Sequence, residues 1–239
     1  MEPLSGKVVM VTGAAKRIGR GIALRLAREG ARVAIHYSTS EEHARKTADE
    51  CGGAPLFRAD LANVRDIETL FRSVGDQLGR LDALVNNAAR FTRMDPMNIT
   101  EKDWDFIHSV NLKGTFFCCQ QGAKLMKAGG GGRIVNISSL GGIRPWADHA
   151  HYCASKAGVI MLTKALAKAF APDITVNSVA PGVIPFGEMD EEAQKMVRNT
   201  PAGRPGTADE IADAVVYFLT ATKFVTGQLI TVDGGLSLR

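Results

Sequence analysis

No apolar run in the 239-residue sequence approaches the roughly 18 residues that a membrane-spanning helix needs. The opening stretch MEPLSGKVVMVTG has neither the apolar core nor the small-residue cleavage site of a secretory leader, so a cytoplasmic location is expected. Cysteine is scarce. Cys51, Cys118, Cys119 and Cys153 show no metal or redox spacing, which argues against a disulfide framework and fits reduced thiols. His36, His43, His108, His149 and His151 form no ligand set either, so no metal site is expected. There is no basic block: lysines and arginines are dispersed, and a net charge of +4 is mild, so neither nucleic acid nor a membrane is an expected partner. A visible linker is missing too, which leaves one domain over residues 1–239.

What the chain has is a regular alternation of short β-branched runs with amphipathic stretches. Residues 7–12, 32–37, 54–59, 81–85, 133–137, 174–179 and 227–235 read as strands and their exits. Helices are expected after Arg17, from Glu41, near Asn63, across 100–127, through Tyr152 to about Phe170, around 190–197 and over 207–219. Thr100 with Asp103, and Thr207 with Glu210, have the spacing of N-terminal caps. Such alternation predicts an α/β fold with one doubly wound parallel sheet of seven strands and right-handed crossovers. The glycines at 129–132 then form a loop inside the domain, and the polar stretch 185–204 is a candidate substrate lid.

Two stretches carry chemistry. The first strand turns at Gly13 into Ala14-Ala15-Lys16-Arg17-Ile18-Gly19, followed by a helical pattern. Strand, glycine loop and helix N-terminus make a cradle whose backbone N–H groups face a pyrophosphate. A ribose 2′-hydroxyl would call for an acid at the end of the second strand, but the chain continues His36-Tyr37-Ser38-Thr39-Ser40. Lys16 and Arg17 offer charge to a 2′-phosphate, and Ser38 and Ser40 offer hydroxyls, so NADP(H) is the expected cofactor. An acid introduced at His36 or Tyr37 should invert that preference. Further on, Tyr152 and Lys156 lie one helical turn apart on one face. A nearby ammonium is expected to lower the phenol from its usual value of about 10. Ser139 follows the fifth strand, at the end of a sheet where such folds bind ligands.

In this order and spacing, the motifs resemble the short-chain dehydrogenase/reductase family from Gly6 to Gly235. The resemblance implies a single Rossmann-type domain in which Ser139, Tyr152 and Lys156 work beside a nicotinamide. It implies that Asn111, in Val110-Asn111-Leu112-Lys113-Gly114, interrupts a helix and orders a water near the lysine. Asp60, followed by Leu61, would meet the adenine, or else cap the next helix. Asn87 and Ala88 would lie beneath the cofactor, and Pro181-Gly182, with Ile184 beyond, would reach the carboxamide. The chain departs from the family pattern at Arg17, which replaces the loop's middle glycine, at Ala89 after Asn86-Asn87-Ala88, and at Phe186, where a threonine is common.

Three readings compete. An NADPH-dependent carbonyl reductase taking a small-molecule ketone, such as a 3-oxoacyl thioester, fits the whole Ser-Tyr-Lys set; the family implies a homotetramer. A pteridine reductase is the nearest rival, since Ala14-Ala15-Lys16-Arg17, His36-Tyr37, Phe91 and the ending Asp233-Gly234-Gly235-Leu236-Ser237-Leu238 resemble that branch. Against it, Ser139 stands where that branch carries an aspartate. A non-catalytic NADP(H) sensor or scaffold would keep the fold, but no catalytic residue is missing here.

Overall fold

In the computed structural model, which describes residues 2–238, the apolar runs become strands; those inside the sheet are buried on both faces, as a parallel sheet covered by helices requires, while the two edge strands are only partly buried. β1 (Val8–Val11), β2 (Arg32–Tyr37), β3 (Leu56–Arg58), β4 (Ala83–Asn86), β5 (Gly132–Ile137), β6 (Ile174–Pro181) and β7 (Leu229–Val232) form one seven-stranded sheet. Its order is β3-β2-β1-β4-β5-β6-β7, and every pairing is parallel. The order reverses between β1 and β4, so the C-terminal ends of these strands border a crevice.

Helices α1 (Arg17–Arg28), α2 (Glu41–Glu50), α3 (Val64–Leu78), α4 (Glu101–His108), α5 (Thr115–Ala128), α6 (Ala150–Phe170), α7 (Glu191–Asn199) and α8 (Ala208–Thr220) connect the strands. Side chains alternate across β1, which feeds two hydrophobic layers. Val9 and Val11 join Ile22 and Leu26 of α1 and Phe218 of α8. Met10 points the other way, to Ile67 and Phe71 of α3 and Met126 of α5. Both capping boxes form, Thr100 with Asp103 at α4 and Thr207 with Glu210 at α8. Among the described residues no helix is long and apolar enough to cross a membrane.

Two elements differ from the sequence expectation, and one agrees with it. The helical region across 100–127 is interrupted at Asn111, as the resemblance implied: a π-helical turn, Ser109–Gly114, separates α4 from α5. Gly114 packs directly on the chain at Leu61; a Cβ there would lie 2.6 Å from that residue's carbonyl oxygen. β3 is confined to Leu56–Arg58, since Pro55 has no N–H to pair. Finally, α3 is capped by Asn63, whose side chain accepts from the Arg65 N–H. Asp60 caps no helix and accepts from the Ala62 N–H at 3.0 Å instead.

Candidate active site

The glycine loop is laced to β4 by polar side chains. Thr12 Oγ1 accepts from the N–H groups of Asn87 (2.9 Å) and Ala88 (3.0 Å). Asn87 Nδ2 donates in return to the carbonyls of Thr12 (2.9 Å) and Gly13 (3.2 Å). Side chains would not fit inside the loop: a Cβ on Gly13 would stand 2.9 Å from Ala88, and one on Gly19 2.3 Å from the Gly13 carbonyl. Arg17 has a φ of +55°, the left-handed region that costs a non-glycine residue roughly 1–2 kcal/mol. It therefore holds a backbone conformation that glycine adopts without cost, and adds a guanidinium.

Lys16 and Arg17 are exposed, and neither has an ion pair or side-chain hydrogen bond among the described residues. Ser38 is exposed beside them, and Ser40 sits at the start of α2 without using its hydroxyl as a cap. Glu41, the first acid after β2, is turned away to Arg45 at 2.6 Å. This corner is electropositive and uncompensated.

His36 and Tyr37 both border the cleft at this corner, but the imidazole of His36 is turned away from it. Its ring is 1% exposed; Nδ1 accepts from the Gly13 N–H at 3.1 Å, and Nε2 lies 3.2 Å from the Ala59 carbonyl. These partners select the neutral ring protonated at Nε2, and burial pushes its pKa down to about 4. His36 is a brace between the glycine loop and the end of β3. An acid in its place would set a buried carboxylate against the Ala59 carbonyl, so the expected inversion of cofactor preference is not available there. Tyr37 is also buried, in the layer that contains α1 and α2.

At the other end, Ser139, Tyr152 and Lys156 converge beyond β5. Ser139 Oγ accepts from the Gly141 N–H at 3.0 Å and lies close enough to the Tyr152 phenol to favour its ionised form. Lys156 is 3% exposed, donates from Nζ to the Ile137 carbonyl at 2.9 Å, and lies 5.8 Å from the centre of the Tyr152 ring. The protonation balance runs against the sequence expectation. Burial raises Tyr152 to about 12, with the Ser139 contact opposing, and burial lowers Lys156 to about 8. With the ammonium engaged at Ile137, desolvation outweighs the attraction that helical spacing suggested.

Asn111 is buried and fully occupied. Oδ1 accepts from the Arg90 N–H at 2.7 Å, while Nδ2 donates to the Arg90 carbonyl (2.9 Å) and to Ser155 Oγ (3.1 Å). Ser155 continues to the Tyr152 carbonyl at 2.7 Å. The side chain thus staples the loop after β4 to α6.

Aromatic rings surround the phenol. Phe91 meets Tyr152 edge-on at 4.8 Å and stacks on His149 at the same distance, and Trp146 lies parallel to Tyr152 at 6.2 Å. The resemblance singled out Phe91 but neither Trp146 nor His149. Thr12 and Arg90 were missed as well. A polar residue closing an apolar strand was the available signal for Thr12. The Arg90 guanidinium, 3.6 Å from Asp60 and 4.3 Å over the Phe106 ring, had none.

One cleft of about 750 Å³ joins the two ends. Lys16, Arg17, Ser38 and Ser40 line one end; Phe91, Tyr152, Ile184 and Phe186 line the other; Ile18, Asp60, Leu61, Asn87 and Ala88 lie between. Ser139, Lys156 and Asn111 stand behind this wall as buried residues. Gly182, half-buried, is not part of the wall either; its N–H donates to the Val232 carbonyl at 2.9 Å, and Pro181 closes β6 beside it. The cleft volume, the side-chain-free loop and the unpaired cations together fit a phosphorylated dinucleotide.

A family model described as Enoyl-(Acyl carrier protein) reductase matches residues 13–237. The 3-oxoacyl-[acyl-carrier-protein] reductase FabG of Staphylococcus aureus is 39% identical, over 96% of this chain and 98% of its own length. The 3-oxoacyl-[acyl-carrier-protein] reductase of Synechocystis sp. is 36% identical over 99% of each. Among solved structures, a Serratia marcescens short-chain dehydrogenase/reductase has a TM-score of 0.92 at 34% identity, covering 99% of this chain and 100% of that one. The angucycline C-6 ketoreductase LanV with bound NADP has a TM-score of 0.91 at 32% identity, covering 100% and 98%.

Proposed function

The chain belongs to the short-chain dehydrogenase/reductase family, and we propose that it is a ketoreductase with NADPH as hydride donor and Tyr152 as proton donor. One observation carries this reading: a single cleft has unpaired Lys16 and Arg17 at one end and Tyr152, backed by Ser139 and Lys156, at the other. A nicotinamide held in this cleft would supply the hydride that the substrate carbonyl carbon takes up. The chain's own residues do the rest. Tyr152, kept protonated by burial, gives its proton to the carbonyl oxygen as charge develops there, and Ser139 donates a hydrogen bond to the same oxygen. Lys156 uses one of its three N–H donors on Ile137, which leaves two for the nicotinamide ribose. Asn111 holds α6 against the loop after β4 and lies on the route by which a proton returns to the phenol.

At the nucleotide end, Gly13, Ile18 and Gly19 cradle the pyrophosphate, and Lys16, Arg17, Ser38 and Ser40 take the 2′-phosphate. His36 and Tyr37 support that corner from behind. Asp60 and Leu61 flank the adenine, Asn87 and Ala88 underlie the cofactor, and Pro181, Gly182 and Ile184 flank the carboxamide. Residues 185–204 act as lid, since α7 buries none of its residues and Glu192 is tied to the body by Arg93 at 3.0 Å. Arg93 also grips Asp148 at 2.9 Å. A 3-oxoacyl thioester is the first substrate to test, in line with the curated relatives. The half-exposed Phe91 ring beside Tyr152 favours a second, planar class: a ring ketone or a dihydropteridine.

The working unit is a cytoplasmic homotetramer of one-domain subunits. Leu112, Phe116 and Leu162 line a groove of about 590 Å³ on the α4–α6 side, apolar surface suited to a second copy. Light scattering at micromolar protein should show four chains, and a monomer removes the assembly. For the activity, NADPH consumption is followed with a 3-oxoacyl thioester, an aromatic ketone and a dihydropteridine. Turnover with at least one, lost in Tyr152→Phe, is expected. NADPH binding without turnover on any of them would mark a nucleotide sensor and refute the ketoreductase.

A further inference from the structure

At the end of the sheet opposite the cleft, the starts of β1, β4 and β5 enclose a second cavity of about 140 Å³. Its charged walls are Glu2, Lys7, Arg80, Asp82, Arg133 and Lys223. Arg133, at the start of β5, is 6% exposed, yet neither Nη1 nor Nη2 has a hydrogen-bond partner. The Glu2 carboxylate lies 3.2 Å from Nη2, close enough for an ion pair but outside hydrogen-bond geometry, and that side chain is itself 57% exposed. A buried guanidinium left in this state is costly, and folded proteins answer such groups with a water or an ion.

The surrounding charge favours an anion. Asp82 is already engaged: Oδ2 accepts from the Val8 N–H at 2.8 Å, and Oδ1 faces Arg80 and, at 3.9 Å, Lys7. Lys223 has no hydrogen bond or ion pair among the described residues, and its Nζ reaches the same wall beside Gly131. Four cations therefore face two carboxylates. The glycine loop offers no free donors, because the N–H groups of Gly130, Gly131 and Gly132 are bonded to the carbonyls of Lys127, Met126 and Asp173. Side chains must do the holding.

We propose that this cavity binds a small oxyanion of the phosphate type, with Arg133 as central ligand, Lys7 and Lys223 flanking it, and Glu2 as an internal competitor. A volume of about 140 Å³ has room for one tetrahedral oxyanion. Such an ion would tie the starts of three central strands to the segment after α8 without entering the cleft.

The test is thermal unfolding in inorganic phosphate against sodium chloride at equal ionic strength, on protein saturated with NADP so that the cleft's own cations are covered. Phosphate at tenfold its dissociation constant should raise the Tm by roughly 3–5 °C. Arg133→Met should abolish the rise, Lys223→Gln reduce it, and Glu2→Gln enlarge it by removing the competitor. Arg17→Ala should leave it intact. That control separates this site from the cleft even if NADP fails to bind. Equal responses to phosphate and chloride would overturn the proposal, as would a phosphate response unchanged in both Lys223→Gln and Glu2→Gln. The two surface variants decide the matter if Arg133→Met does not fold.

Discussion

The two ends of the cleft are built in opposite ways. At the nucleotide end the groups proposed to meet a ligand, Lys16 and Arg17, stay exposed and unpaired, while the buried polar groups, Thr12, His36 and Asn87, hydrogen-bond to the backbone. At the other end the groups proposed to react are themselves buried: Ser139, Tyr152 and Lys156 are each less than a tenth exposed. The difference follows from the two tasks. A cation that recognises phosphate needs only to keep its charge, and water preserves it at little cost. A group that gives up a proton must hold it until the reaction, and burial keeps the Tyr152 phenol protonated and out of exchange with water. Functional side chains should therefore be removable at the open end without loss of fold, and bracing side chains should not.

The largest expected effect lies at the closed end. Tyr152→Phe should lower turnover roughly 10²–10⁴-fold while NADPH binds as before. Unchanged turnover in the purified variant would remove Tyr152 from the chemistry.

Next comes the brace beneath the open end. His36→Asp buries a carboxylate in place of a neutral ring and should cost roughly 3 kcal/mol or more in denaturant unfolding. A well-folded variant that prefers NADH would contradict the bracing role. The same ring predicts a pH dependence. Its folded pKa of about 4 lies below the ordinary 6.5, so the unfolded chain binds the extra proton. Stability should fall as pH drops from about 6.5 to about 4, by up to about 3 kcal/mol, and no further below that. His36→Asn should flatten this part of the curve.

Arg17→Gly sharpens the comparison because its two effects have opposite signs. Glycine relieves the left-handed backbone, so stability should hold or rise by up to about 1 kcal/mol. Loss of the guanidinium should weaken NADPH by roughly tenfold. If stability falls along with affinity, Arg17 is part of the frame and the open end is not what it is taken to be. The smallest effect belongs to the lid. Arg93→Ala breaks exposed ion pairs to Asp148 and Glu192, and should raise KM a few-fold with kcat nearly constant.

Much of this was legible in the sequence, for identifiable reasons. A strand buried on both faces writes a continuous apolar run, so the seven strands and their alternation with helices could be read directly. The glycine loop was legible because Gly13 and Gly19 mark contacts that admit no Cβ. What could not be read depends on direction and depth. The i, i+4 spacing puts Lys156 near Tyr152 but does not say that its ammonium turns to Ile137, nor that burial governs both protonation states. His36 stands in the stretch expected to touch phosphate, and only the register against Gly13 and Ala59 shows it facing inward. Arg133 at the start of a strand looks like any exposed arginine until the floor of the sheet is assembled around it.

The central claim is that the uncompensated cations of the open end select a phosphorylated nucleotide. Fluorescence titration of the unmodified protein with NADPH and with NADH tests it most directly. The account predicts NADPH to bind at least about tenfold more tightly, the effect of one charge-assisted contact of about 1.4 kcal/mol. Equal dissociation constants would mean that Lys16 and Arg17 take no part in binding, and would contradict it.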